Sequence, residues 1–220
     1  RKSFLKVLAI PEYLSFCAYC FLLTLFTGAC PQIFNLIEKD VLHLSKVEMV
    51  FIGNLLVVGA LAGFFLGGRL VDRFGTKYVF LWCHFGFGLI LFFFLWRDVF
   101  PGEVQITVGI LTILFGMVQA ASSIAMTSET LVLIPVENKS LATGLWFTLY
   151  SGGIGLSGVL SGQALELGLL SDSWSWFGQA MSRYDGLLML CGAMVLLMTV
   201  TLGLNPSVIQ KTPADWIPQV

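Results

Sequence analysis

A serine set between glycines, Gly155-Leu156-Ser157-Gly158, is the one arrangement in this chain that suggests covalent chemistry. Its hydroxyl would act as a nucleophile only with a general base within reach. The two histidines, His43 and His84, both lie far upstream, so no base follows the serine on a later helix. Cys17-x-x-Cys20 has the spacing of a redox or metal-binding pair. It stands without a second pair or a nearby histidine, and Cys30, Cys83 and Cys191 are scattered through apolar surroundings, where a thiol behaves as a small packing group. No catalytic residue, no metal site and no cofactor is therefore expected, and the chain does not read as an enzyme. The acids Glu12, Asp40, Glu48, Glu103, Glu129, Glu166 and Asp185 all fall at the margins of apolar stretches.

Residues suited to binding are better represented. Cys17, Cys20, Thr24, Thr27, Pro31 and Asn35 share one helical face, with Gln32 beside it. Gln105, Thr112, Gly116, Gln119 and Ser123 recur at helical spacing further on, as do Thr143, Tyr150, Ser157 and Ser161. Small hydroxyls on such faces commonly join helices to one another. Gln32, Asn35, Gln119 and Tyr150 carry larger polar groups that are costly to leave unpaired. With Thr24, Ser123 and Asn54 they form the candidate cavity set. Gly59, Gly63 and Gly67 make a tandem G-x-x-x-G, and Gly155, Gly158 and Gly162 mark a second small-residue face. Both suit close approach of helix backbones.

The elements that position these residues follow from where charge is missing. Residues 13–37, 49–68, 78–96, 104–128, 140–165 and 186–210 contain no Asp, Glu, Lys or Arg. A helix rising about 1.5 Å per residue needs roughly 20 apolar residues to cross a hydrocarbon core of about 30 Å. The expected fold class is an all-α membrane protein with six transmembrane helices. A membrane barrel is excluded because residues 85–95 and 187–197 are apolar all round, without alternation. A composition of 57% hydrophobic and 11% charged residues excludes a water-soluble domain. The net charge of −1 offers no basic surface to a nucleic acid, and the lipid bilayer is the partner implied.

Orientation follows from the basic residues of the short connections. Arg1, Lys2, Lys6, Arg69, Arg73, Lys77, Lys139 and Lys211 lie on one side, against Lys39, Lys46, Arg97 and Arg183 on the other. This asymmetry places both termini in the cytoplasm. Residues 166–185 form one long outer connection, holding Trp174, Trp176, Phe177 and Tyr184.

Between the second and third spans runs Gly67-Gly68-Arg69-Leu70-Val71-Asp72-Arg73-Phe74-Gly75-Thr76-Lys77, read as a tight charged turn of nine residues. It resembles the G-x-L-x-D-R-x-G-x-K signature of the major facilitator superfamily, with Thr76 in place of a basic residue. Pro135-Val136-Glu137-Asn138-Lys139-Ser140, followed by Ala142 and Gly144, is similar to that family's loop between the fourth and fifth helices of a half. The resemblance covers essentially the whole chain as one six-helix half-bundle of a twelve-helix secondary transporter. Phe4-Leu5-Lys6 to Pro11-Glu12-Tyr13-Leu14 is similar to the step into a seventh helix, which implies the C-terminal half. On that reading residues 1–12 are a cytoplasmic lead-in, 13–210 the bundle and 211–220 a cytoplasmic tail.

The resemblance further implies a small-molecule substrate, an N-terminal six-helix half as partner and alternating access as mechanism. It implies a gating motif of Gly68, Asp72, Arg73, Gly75 and Lys77, in which Asp72 meets a helix end of the opposite half and Glu129 pairs with Arg73. It also implies that the glycine faces slide against the other half. Two other readings stay open: a self-pairing six-helix channel or facilitator, and an intramembrane serine protease built on Ser157. A paired Asn-Pro-Ala motif of the water-channel kind is only faintly echoed by Asn205-Pro206-Ser207.

Overall fold

The computed structural model describes residues 7–99, 103–134 and 138–204. Arg1, Lys2, Lys6, Pro135, Val136, Glu137, Asn205, Pro206, Ser207 and the tail 211–220 lie outside the described residues. The main α-helices among the described residues are, in order, α1 (Pro11–Thr27), α2 (Cys30–Leu36), α3 (Lys46–Phe74), α4 (Thr76–Leu95), α5 (Val104–Leu133), α6 (Lys139–Glu166) and α7 (Arg183–Met198). A short antiparallel hairpin, β1 (Trp174–Trp176) and β2 (Gln179–Met181), precedes α7.

Among the described residues, five segments are long and apolar enough to cross a membrane: Pro11–Val41, Lys46–Phe74, Thr76–Leu95, Val104–Leu133 and Arg183–Gly203. The molecule is thus a mostly helical membrane protein. At 28 residues α6 has the length of a span, but its six glycines, four serines and two threonines lower its apolarity.

The first span is not one continuous helix, as its charge-free sequence suggested. It breaks at Gly28-Ala29, just before Pro31, whose ring has no N–H to give and crowds the preceding turn. The N–H of Ala29 is taken instead by the Ser157 hydroxyl of α6, at 3.0 Å. A π-helical turn over Ile37–Val41 then ends the segment.

The start and end of α3 have clear local causes. Ser45 and Glu48 form a reciprocal capping box, with the Ser45 N–H donating to Glu48 Oε2 at 2.7 Å. Gly75, at φ 83°, ends the helix and leads directly into α4. The charged run is therefore helical through Phe74 and not a nine-residue turn: Gly67 and Gly68 are kept within the helix, and the chain leaves it only at Gly75, with its positive φ.

The core lies among α1, α4, α5 and α7. Phe16, Tyr19, Phe80, Phe94, Phe115 and Leu188 are all under 2% exposed there. Phe34 stacks on Phe94 with ring centroids 4.2 Å apart, and Phe115 meets Phe34 edge-on. α3 packs along α5, and α6 along α1. Both flanking helices leave broad faces uncovered: Phe51, Leu61 and Phe65 of α3, and Phe147 and Val159 of α6, are exposed.

The hairpin end of the bundle is more ordered than a long connection would suggest. Phe177 and Gly178, at φ 49° and 78°, supply the two positive angles of a type I′ turn. Trp176 stacks on Trp96 at 5.3 Å, and Trp174 donates its indole N–H to the Ser182 carbonyl at 3.1 Å. Beneath them Arg97 forms a two-pronged ion pair with Asp185, the residues 2% and 0% exposed. Asp185 also accepts from the Ser182 N–H at 2.8 Å, capping α7. Both lie at the margins of apolar stretches, yet neither is exposed. Each is buried because the other neutralises it.

Candidate functional site

Three of the candidate cavity residues converge. Thr24 on α1, Gln119 on α5 and Tyr150 on α6 line one cavity of about 60 Å³, together with Thr27, Ser122 and Phe87. The break at Gly28 contributes to its wall, since α1 and α6 are drawn close there. A side chain at Gly153 would collide with the Thr24 hydroxyl, which is within 3.1 Å of the Tyr150 carbonyl across the helix pair. Thr24 is therefore buried and joins helices as well as lining the cavity. The Tyr150 ring stacks on Trp146 at 5.3 Å, which fixes its direction, and Gln119 is exposed along the open side.

Other members of the set stand apart. Ser123 donates to the Ala120 carbonyl of its own helix at 2.8 Å and is half-buried away from the cavity. At about 100° per residue, Ser122, Met126 and Gln119 fall within roughly 60° of one another, while Ser123 lies beyond Gln119 on the side facing α3. Ser122 is thus a cavity residue that helical spacing alone did not single out. Gln32 and Asn35 are exposed on α2, where the Gln32 amide nitrogen reaches the Gly28 and Ala29 carbonyls at 3.1 and 3.0 Å. Asn54 is exposed on α3. A larger groove of about 480 Å³ lies between α3 and α5, but its walls are apolar apart from Glu48 and Gln105, which hydrogen-bond at 2.9 Å.

The glycine faces differ sharply. A Cβ at Gly59 or Gly63 would overlap the main-chain carbonyl of Ile113 or Met117, and one at Gly67 would stand 2.7 Å from the Ala121 Cα. Gly116 approaches the Leu56 carbonyl in the same way from the opposite side. The α3–α5 crossing is thus a backbone contact within this chain, not a face turned to another half. Gly155, Gly158 and Gly162 have nothing within 4 Å. Ser157, between them in sequence, points the other way, is 2% exposed and is engaged by Ala29.

At the Gly75 end, Asp72 and Arg73 are exposed, and the Arg73 guanidinium lies over the Phe74 ring at 5.3 Å. Gly68 and Lys77 are half-buried, and Glu129 is 1% exposed on α5. The charged run thus presents its acid and its second arginine outward, while Glu129 is held inside.

The sequence matches the Major Facilitator Superfamily over residues 13–217. The chain belongs to that family. No curated protein and no solved structure matches it. As a major facilitator superfamily member it is a membrane-embedded transporter, and the cavity lined by Thr24, Gln119 and Tyr150, not Ser157, is its candidate working site. Sequence spacing missed the buried Arg97–Asp185 pair and the Tyr19–His84–Ser122 line. His84 makes two hydrogen bonds across helices, to Tyr19 and Ser122 at 2.9 Å each.

Proposed function

We propose that this chain forms one six-helix half, the C-terminal one, of a secondary transporter that moves a small solute by alternating access. α6 is its fifth span and α7 its sixth, both termini face the cytoplasm and the hairpin faces outside. The observation that carries this reading is the convergence of Thr24, Gln119 and Tyr150, from three different helices, on one small cavity with an open side. Lipid cannot satisfy the exposed amides of Asn35, Asn54 and Gln119, so a protein or water-filled surface must face them. The second half supplies that surface, against the uncovered faces of α3 and α6. Gly155, Gly158 and Gly162 give α6 a smooth track on which the two halves can approach and part. Asp72 and Arg73, exposed at the Gly75 end, then stand where they can meet the opposite half.

The experiment is reconstitution. The chain in liposomes should carry no solute, and the chain assembled with an N-terminal half should carry one saturably. Saturable transport by the chain alone would favour the self-pairing reading.

A further inference from the structure

Tyr78, Trp82, Phe85 and Leu89 of α4 are all exposed. At about 100° per residue they fall within roughly 60° of one another, on one face of the helix. Phe87, the α4 residue that borders the cavity, lies on the opposite side. The exposed face therefore looks away from the cavity, and on an apolar span it looks at lipid. At the end of α4 this face is continued by the hairpin. Phe92, beside the exposed face, has its ring centre 6.4 Å from that of Trp176, and Trp96, at the end of the helix, stacks on the same ring at 5.3 Å. The first hairpin strand is thus laid against the last turn of a membrane span, where hydrocarbon gives way to headgroups. Phe177 carries the row of rings one step further, 5.3 Å from Trp176.

Phe177 is ill suited to a turn in water. It is 81% exposed, while the strands beside it are held to the bundle by Trp176 on Trp96, by the Trp174 indole N–H and by the buried Met181. It also stands at φ 49°, in the first central position of a type I′ turn, which favours Gly, Asn or Asp and strains a bulky side chain. Asparagine or glycine would make the same turn with less strain and without a bare ring. No charged residue lies between Asp172 and Arg183, and those two pair with each other at 3.4 Å. The hairpin thus carries no charge that would hold it in water or select a charged headgroup.

We propose that the Trp174–Met181 hairpin is a membrane-interface anchor whose partner is the lipid surface on its own side, with Phe177 inserted among the headgroups and the first acyl carbons. Trp176 and Trp96 form the row behind it. Aromatic rings are enriched at this level of a bilayer, and a ring placed there is removed from water. Because Trp176 is stacked on the end of α4 and Met181 leads through the Ser182 cap into α7, the anchor sets the depth of both helix ends. Insertion does not depend on which leaflet is met. Only its assignment to the outer leaflet rests on the orientation proposed above.

Two readouts test this in phosphatidylcholine liposomes, on the chain alone and on the chain assembled with an N-terminal half. In a cysteine-free background, spin labels at Phe177→Cys, Leu89→Cys and Asp172→Cys report collisions with oxygen, which concentrates in lipid, and with a nickel chelate, which stays in water. The label at 177 should favour oxygen over nickel more than the label at 172 does, and read shallower than the label at 89. A reading at 177 equal to that at 172 would overturn the proposal, as would a label that neither reagent reaches. In the second readout p-benzoylphenylalanine in place of Phe177 keeps an aromatic ring and, on irradiation, cross-links to whatever it touches. Mass spectrometry should find a phosphatidylcholine adduct with and without the N-terminal half. Cross-links to that half or to a second copy, in place of lipid, would overturn the proposal by showing that protein covers the tip. A hairpin found on the cytoplasmic side but still joined to lipid would count against the proposed orientation and leave the anchor standing.

Discussion

Gly63→Ala is a one-carbon change whose cost can be worked from the crossing of α3 and α5. The added methyl would overlap the Met117 carbonyl, with the Met117 Cα and carbonyl carbon both 2.8 Å away. None of these atoms is the end of a flexible side chain, so relief requires the two helices to separate. Overpacking of this kind costs about 1 to 3 kcal/mol, and a main-chain obstacle puts the site at the upper end. Replacing glycine within a helix returns up to about 1 kcal/mol. The net expected loss is about 2 kcal/mol. Gly158→Ala is the control, because its Cβ position is empty within 4 Å and only the favourable helix contribution remains. Unfolding of both variants in mixed micelles against denaturing detergent, followed by tryptophan fluorescence, gives the comparison. Equal stability of Gly63→Ala and the parent chain would refute the claim that this crossing is a backbone contact.

Breaking the buried ion pair with Asp185→Asn should cost about 3 to 5 kcal/mol in the same titration, since it strands the Arg97 charge, and Arg97→Met with Asp185→Leu should recover much of that loss. Ser157→Ala should destabilise the chain by about 1 to 3 kcal/mol by stripping the Ala29 N–H of its acceptor. Ser157 should also remain unlabelled by a fluorophosphonate probe, and labelling there would revive the protease reading. Asp72→Asn, which keeps volume and removes an exposed charge at the Gly75 end, should abolish most transport by the two-half protein while leaving its membrane level unchanged, as measured by uptake and immunoblot.

The helical membrane character was legible because the absence of charge over long stretches is a property of composition, and lipid enforces it residue by residue. Finer features depend on which residues meet, and one chain's spacing does not carry that. The break at Gly28-Ala29 needs Ser157 from a helix more than a hundred residues away to receive the freed N–H. Arg97 and Asp185 look like surface charges until they are paired, since each alone would be too costly to bury. Ser122 and Ser123 are indistinguishable in sequence, and only the direction of the neighbouring helices sends one to the cavity and the other to its own backbone. The Trp174–Met181 hairpin was missed because strands of three residues carry too little periodicity to register.

The central claim is that Gln119, Thr24 and Tyr150 face a water-filled path that opens in turn to each side of the membrane. Single cysteines at Gln119 and at Leu89, an exposed residue of α4 outside the cavity, test this most directly in a cysteine-free two-half protein. A membrane-impermeant thiol reagent should modify Gln119→Cys when applied from either side, and Leu89→Cys from neither. Failure of Gln119→Cys to react from both sides, or reaction no faster than at Leu89→Cys, would contradict the account.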